Sequence, residues 1–220
     1  LRLSGRIRDL PFPYEGGSAL HPVSEYGKDK VLVWEQAKEL SVQLRIDYIH
    51  TRIFSVYGPG DHPWSLISAC LDTFLKGGHM EMGPCTQQWN FLYVTEAAAL
   101  LTKLLLGKAP AGVYNVAGDD TRLCGLYRRT APSLRQSGTY HFGDRPPNAE
   151  GMVSLMPDLS RLKEVTGFTQ QIPFAEGSAD WCRRRKENID ETLYRLRCAT
   201  LGNTASNPGQ YACVRPAYAG

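Results

Sequence analysis

No apolar run in this chain approaches the roughly 20 residues that a membrane-crossing helix needs; the longest candidate, Ala97 to Leu106, is interrupted by Lys103. No membrane partner is expected. Charge of one sign is scarce too: 25 Lys and Arg face 22 Asp and Glu, a formal net charge of +3. That surplus is too small to make nucleic acid a partner. The densest cationic run, Arg183-Arg184-Arg185-Lys186, is followed by Glu187, Asp190 and Glu191, which meet it at helical spacing and make a solvated face. The six cysteines form no Cys-x-x-Cys and have no clustered histidines. Neither a zinc site, nor any other metal centre, nor a disulfide framework is indicated, and reduced thiols in a cytoplasmic protein are expected. The chain shows no internal repeat or low-complexity tract. It opens on Leu1 with no basic, apolar leader, so no secretory signal is expected.

What is present is ordinary globular usage, 42% hydrophobic and 21% charged over 220 residues, enough for one sizeable core. The most informative stretch is Ser24-Glu25-Tyr26-Gly27-Lys28-Asp29-Lys30. Pro22 disfavours helix for the residue before it, and Ser24 can cap a helix starting just after it. A helix from Ser24 to Leu44 then sets Tyr26 and Lys30 on one face, one turn apart. A phenol with an ordinary pKa of about 10 holds its proton at neutral pH, whereas a fixed cation beside it favours the phenolate. A pair of this kind facing a pocket can move a proton on and off a hydroxyl.

Along that helix Leu32, Val33, Ala37, Leu40 and Leu44 predict one buried face. Asp47 to Val56 predicts a central parallel strand covered on both sides, broken by Tyr57-Gly58-Pro59-Gly60. Ligands in open α/β sheets sit beyond the carboxyl ends of strands, so the loop from Ser55 to Pro63 is expected to border a site. Further on, Trp64 to Lys76 predicts a helix capped by Gly77-Gly78, Met80 to Met82 a short strand, and Thr95 to Leu106 a helix capped by Thr95. Val113 to Val116 predicts a strand and Leu123 to Leu134 a helix. Asp158 is expected to begin another helix, and Glu176 to Arg195 forms the last. Beyond Arg197 the sequence reads as a loose tail.

Three blocks carry a resemblance: Pro22-Val23-Ser24-Glu25-Tyr26-Gly27-Lys28-Asp29-Lys30, then Arg52-Ile53-Phe54-Ser55-Val56-Tyr57-Gly58-Pro59-Gly60-Asp61-His62-Pro63, then Trp89-Asn90-Phe91-Leu92-Tyr93-Val94-Thr95-Glu96-Ala97-Ala98. In order and distance they resemble the extended short-chain dehydrogenase/reductases, the NAD-dependent epimerase/dehydratase group acting on nucleotide sugars, over about residues 1 to 180. The resemblance implies an α/β fold, the C-terminal part of a Rossmann-like doubly wound parallel sheet with a small α/β substrate-binding lobe. It divides the chain into a partial Rossmann-like catalytic region at 1–118 with lobe segments interleaved, a mainly substrate-binding lobe at 119–195, and the tail at 196–220. It also implies NAD or NADP as cofactor, a nucleotide-sugar substrate, and a homodimer through the helix at 24–44 and its successor.

By the same resemblance Tyr26, Lys30 and Ser4 are catalytic, with a turn serine as the other reading of Ser4. Tyr26, Lys30 and Phe54 adjoin the nicotinamide, and Ser55 the sugar. His62 matches a common loop position and is expected to be structural. Trp89 stands where relatives carry a phosphate-gripping Arg; an indole cannot fork onto phosphate, so it either stacks on a base or is a core aromatic. Arg145 stands where relatives place a second phosphate-binding Arg, against the reading of an exposed loop charge. Dehydratases of the family follow the catalytic Ser or Thr with Asp-Glu, whereas Gly5 and Arg6 stand here. An epimerase therefore leads, with a keto-sugar reductase or dehydratase behind it. No Gly-x-x-Gly-x-x-Gly turn occurs, so the adenosine half of the cofactor site is expected to be lacking, along with about the first hundred residues of the family fold. That raises a third reading, a non-catalytic remnant.

Overall fold

The computed structural model describes residue 22 and residues 24–122, 138–146 and 154–187. Helix α1, Glu25–Leu44, starts where Ser24, in extended conformation, accepts the Gly27 amide on its hydroxyl. It stops at Arg45, left-handed at φ 55°, where the amides of Arg45 and Ile46 close back on Val42 and Ser41. The chain then reverses into β1, Ile49–Ile53, and a short β2, Val56–Tyr57.

These two strands do not share a partner. Strand β1 lies parallel to β6, Gly112–Val116, with Ile49 opposite Gly112 and Ile53 opposite Val116. Strand β2 lies parallel to β5, Leu92–Tyr93. The exchange falls on two residues: the Phe54 amide still donates to Val116 O, and Ser55 O already accepts from the Leu92 amide. The expected single strand over 47–56 is thus split, because each half finds a different edge to pair with.

Helix α2, Leu66–Leu75, starts two residues later than expected, capped by Ser65, and is closed by Gly77 at φ 70°, the glycine end that the sequence predicts. Strand β3, His79–Met82, runs parallel to β8, Thr139–Phe142, and β4, Gln88–Asn90, antiparallel to β7, Asp120–Arg122. Helix α3, Val94–Leu106, begins one residue before Thr95; its cap position is Tyr93, and no side chain caps it. Thr95 is therefore inside the helix, since β5 runs into α3 with no intervening turn. Helix α4, Ser160–Thr166, has Leu159 and not the expected Asp158 at its cap position; Asp158 lies one residue earlier, where its Oδ1 accepts both the amide and the hydroxyl of Ser160. Residues 174–187 form α5. The segments at 123–134, 188–195 and 196–220, for which a helix, the end of the last helix and a tail are expected, lie outside the described residues.

Two apolar cores result. One gathers Tyr57, Ile67, Leu71, Phe74, Met82, Phe91 and Tyr93 against Phe174 and Trp181 of α5. The other joins Leu92, Leu100, Leu104, Tyr114 and Val116 to Leu159 and Leu162. The expected buried face of α1 is not found: Leu32, Val33, Leu40 and Leu44 are more than half exposed. The helix instead buries Gly27 and half-buries Val31, Trp34, Ala37 and Ser41. It meets β1 through Trp34, and the described residues supply nothing to cover the other side.

Candidate active site at the head of the first helix

Gly27 is what places the pair. A Cβ there would come within 3.1 Å of Pro22 Cβ and 3.2 Å of Ser24 Oγ, so glycine lets the helix start close against the preceding loop. With Gly27 inward, Tyr26 projects outward and is 58% exposed. One turn on, the Lys30 ammonium rests 5.3 Å from the centre of the Tyr26 ring, within cation–π range. Phenol and ammonium are therefore adjacent and open to solvent.

Trp34 fixes the height of this pair along the sheet. Its ring meets the Arg52 guanidinium at 5.6 Å and the His50 ring at 5.3 Å. Farther along α1, Ser41 and Val42 share a groove with Tyr48 and His50, so the helix runs antiparallel to β1. From Trp34 back to Tyr26 is eight residues, about 12 Å of helix. From Arg52 on to Ser55 is three residues, about 10 Å of strand. The pair stands level with the carboxyl end of β1, at the point where the chain passes from β6 to β5.

Electrostatics there are set by burial. Arg52 is buried and its guanidinium pKa is lowered by desolvation; His50 is lowered by desolvation and then by the Arg52 charge. Neither Trp34 nor Arg52 stands out in the sequence as part of a site. The one available signal is that Trp34 follows Lys30 by four residues.

Of the other expected residues, Phe54 and Ser55 are half-buried at the strand exchange, with Phe54 packed on the second core. Trp89 on β4 is half-buried, packed on the first core with its ring 6.5 Å from that of Phe91. Arg145 is exposed in the loop after β8, its amide donating to Met82 O at 3.1 Å. His62 is exposed and stacks on Trp64 at 4.5 Å. Ser4 lies outside the described residues. Tyr26 and Lys30 are thus brought together, Phe54 and Ser55 lie at the strand end, and among the described residues no ring contact or hydrogen bond joins Trp89 or Arg145 to the pair. Among the described residues no group of three or more His, Cys, Asp or Glu is arranged to hold a metal ion, and no helix is long and apolar enough to cross a membrane.

A parallel α/β sheet with an exposed Tyr-x-x-x-Lys helix at its carboxyl edge defines a class, and comparison with known proteins identifies it. Residues 9–117 match the NAD dependent epimerase/dehydratase family. Over that stretch the chain is similar to this family. The fold is Rossmann-like, similar to UDP-glucose 4-epimerase of Thermotoga maritima solved with UDP-glucose, at TM-score 0.70 and 19% identity over 82% of this chain and 59% of that one. It is similar also to dTDP-glucose 4,6-dehydratase of Bacillus anthracis in complex with NAD, at TM-score 0.66 and 19% identity over 82% and 58%. A third likeness is to RMD of Pseudomonas aeruginosa complexed with NADPH, at TM-score 0.68 and 19% identity over 83% and 64%. The chain thus spans 58% to 64% of the length of these structures. Among curated proteins nothing matches it.

Proposed function

We propose that this chain carries the proton-transfer and substrate-binding part of an NAD(P)-dependent nucleotide-sugar epimerase. The observation that carries the reading is the exposed Tyr26 phenol with the Lys30 ammonium over its ring, level with the strand end. Tyr26 Oη takes the proton from a sugar hydroxyl and returns it. Lys30 stabilises the negative charge left on Tyr26 and is the group placed to hold a ribose hydroxyl. Ser55, at the strand exchange, orients the sugar. Arg145, exposed on its loop, meets the diphosphate, and Trp89 lines the lobe behind it. Ser4 supplies a second hydrogen bond to the reacting hydroxyl.

The described residues fit the nicotinamide half of NAD or NADP: Tyr26, Lys30 and Phe54 would border it, and when bound it supplies the hydride acceptor and donor for the sugar carbon. No glycine-rich turn in the sequence fits the pyrophosphate. The 220-residue chain alone is therefore expected to show no saturation with NAD in the micromolar range by calorimetric titration; micromolar affinity would overturn this part of the reading. A non-catalytic remnant is the alternative reading.

Residues 1–118 form the catalytic region, with lobe segments interleaved, and 119–195 mainly the substrate lobe, with 196–220 a tail. The exposed stripe on α1 supports a homodimer. Cys70, Cys85 and Cys182 are free and buried, which accords with a reducing cytoplasm.

Tyr26→Phe in the native protein tests the function. Turnover of UDP-, GDP-, CDP- or dTDP-sugars is expected to fall by about 10²–10⁴, with melting unchanged because the side chain is exposed. Undiminished turnover refutes the assignment, and no turnover in either form selects the remnant. Stoichiometric consumption of NAD(P)H selects the reductase, and loss of water the dehydratase.

A further inference from the structure

Below the level of Tyr26, α1, β1, β6 and the start of α4 border an open cavity of about 640 Å³. It extends from Trp34 and Asn115 toward the amino ends of the strands. Lys38 on its wall is twelve residues past Tyr26, about 18 Å along the helix axis. The volume falls within the roughly 300–1,000 Å³ range of small-molecule sites.

The lining has two characters. Trp34, Val42, Ile46 and Val113 give it flat and apolar walls, with the rings of Tyr48 and His50 beside them. The Tyr48 hydroxyl lies 3.3 Å from His50 Nδ1, and Trp34 is held by its contacts with His50 and Arg52. The charged groups on the wall are Lys38, Arg161 and Asp158. Asp158 is already engaged, its carboxylate accepting from Ser160 twice. Two cations therefore face the cavity against one carboxylate occupied by its own helix.

Arg161 is fixed there by the strand beneath it. Its Nη2 donates to Ala111 O at 2.9 Å, and the guanidinium lies 4.6 Å from the centre of the Tyr114 ring. Gly112, at φ 141°, makes room: a Cβ would come within 2.5 to 2.9 Å of the guanidinium. The strand keeps a glycine where any side chain would displace this cation.

We propose that this cavity is a second ligand site, distinct from the Tyr26 end, for a small anion carried on a flat ring body. The rings of Trp34, Tyr48 and His50 take the flat body, and Lys38 and Arg161 take an oxyanion, carboxylate or phosphate. It does not depend on the activity proposed above, and a ligand here touches α1, the helix that positions Tyr26.

The probe is anilinonaphthalene sulfonate, a flat ring body with one anionic group, titrated by fluorescence into the full chain and two charge variants that leave the fold intact because both sites are exposed. One saturable site is expected, weakened about ten-fold by Lys38→Glu, the loss of one charge-assisted contact, and unaffected by Leu40→Glu on the open side of α1. Affinity unchanged in Lys38→Glu, or lost in Leu40→Glu, overturns the proposal by placing the dye on the apolar stripe. Displacement by uridine 5′-monophosphate assigns a phosphate ligand and displacement by benzoate a carboxylate. Displacement by neither overturns it.

Discussion

Tyr93→Phe is expected to destabilise the protein in a way that depends on pH. The Tyr93 hydroxyl donates to Asp180 Oδ2 at 2.6 Å, tying the strand that leads into α3 to helix α5. Asp180 also accepts from Arg184 Nε at 2.8 Å and from Arg183. The Tyr93 hydrogen bond, then that from Arg184, holds the Asp180 carboxyl at about 2, below its ordinary 3.8. Burial, and then Asp180, pushes the phenol up to about 12. A depressed carboxyl stabilises the fold above its unfolded pKa, and that contribution is lost as pH falls from about 4 toward 2. The raised phenol works oppositely: its contribution is present below pH 10 and lost toward 12. Nearly two units on Asp180 correspond to about 2.5 kcal/mol at most. The carboxylate is a quarter exposed and its arginines more so, so about 1–2 kcal/mol is the realistic total, with about 1 kcal/mol from Tyr93. Removing the hydroxyl leaves the ring in the core beside Tyr57. Urea unfolding of Tyr93→Phe should therefore show about 1 kcal/mol lost at pH 7, shrinking as pH is lowered toward 2. An equal deficit at both pH values would mean that packing, not the charged hydrogen bond, was removed, and an unchanged midpoint at pH 7 would refute the account outright.

Gly58→Ala should cost about 1–3 kcal/mol, because Gly58 sits at φ 144° and a Cβ would lie 2.6 Å from Val94 Cγ1; a thermal midpoint equal to wild type would contradict this. Val33→Glu and Leu40→Glu fall on the exposed stripe of α1, so each should change folding stability by no more than about 0.5 kcal/mol. If α1 is the dimer surface, the double variant elutes as a monomer where the wild type is a dimer. A wild type that is monomeric at high concentration removes the homodimer from the reading.

Residues close in sequence reveal themselves more readily than partners separated by many residues. Tyr26 and Lys30 are legible because one helical turn brings them together whatever else the chain does, and Ser24 and Gly77 mark helix ends through their own local chemistry. The split at Phe54 and Ser55 is invisible in an unbroken apolar run, since it depends on which strand, 92–93 or 112–116, offers the nearer edge. Arg161 reaches Ala111 from 50 residues away, and Tyr93 meets Asp180 across 87; neither contact has a periodicity to announce it.

Helix α1 marks the limit of such local signals. Apolar spacing predicts that Leu32, Val33, Ala37, Leu40 and Leu44 share the buried face, yet of these only Ala37 is half-buried, alongside Val31 and Trp34; spacing cannot say which side the sheet covers. Trp34 decides, because Arg52 and His50 on one side of β1 offer it a cation and a ring. Once it is turned inward, Lys30 and Tyr26, one and two turns earlier, are carried to the strand end, and the Val33–Leu40–Leu44 stripe is left outward. The open stripe and the accessible phenol are two consequences of that single orientation, so a substitution that releases Trp34 should disturb both together.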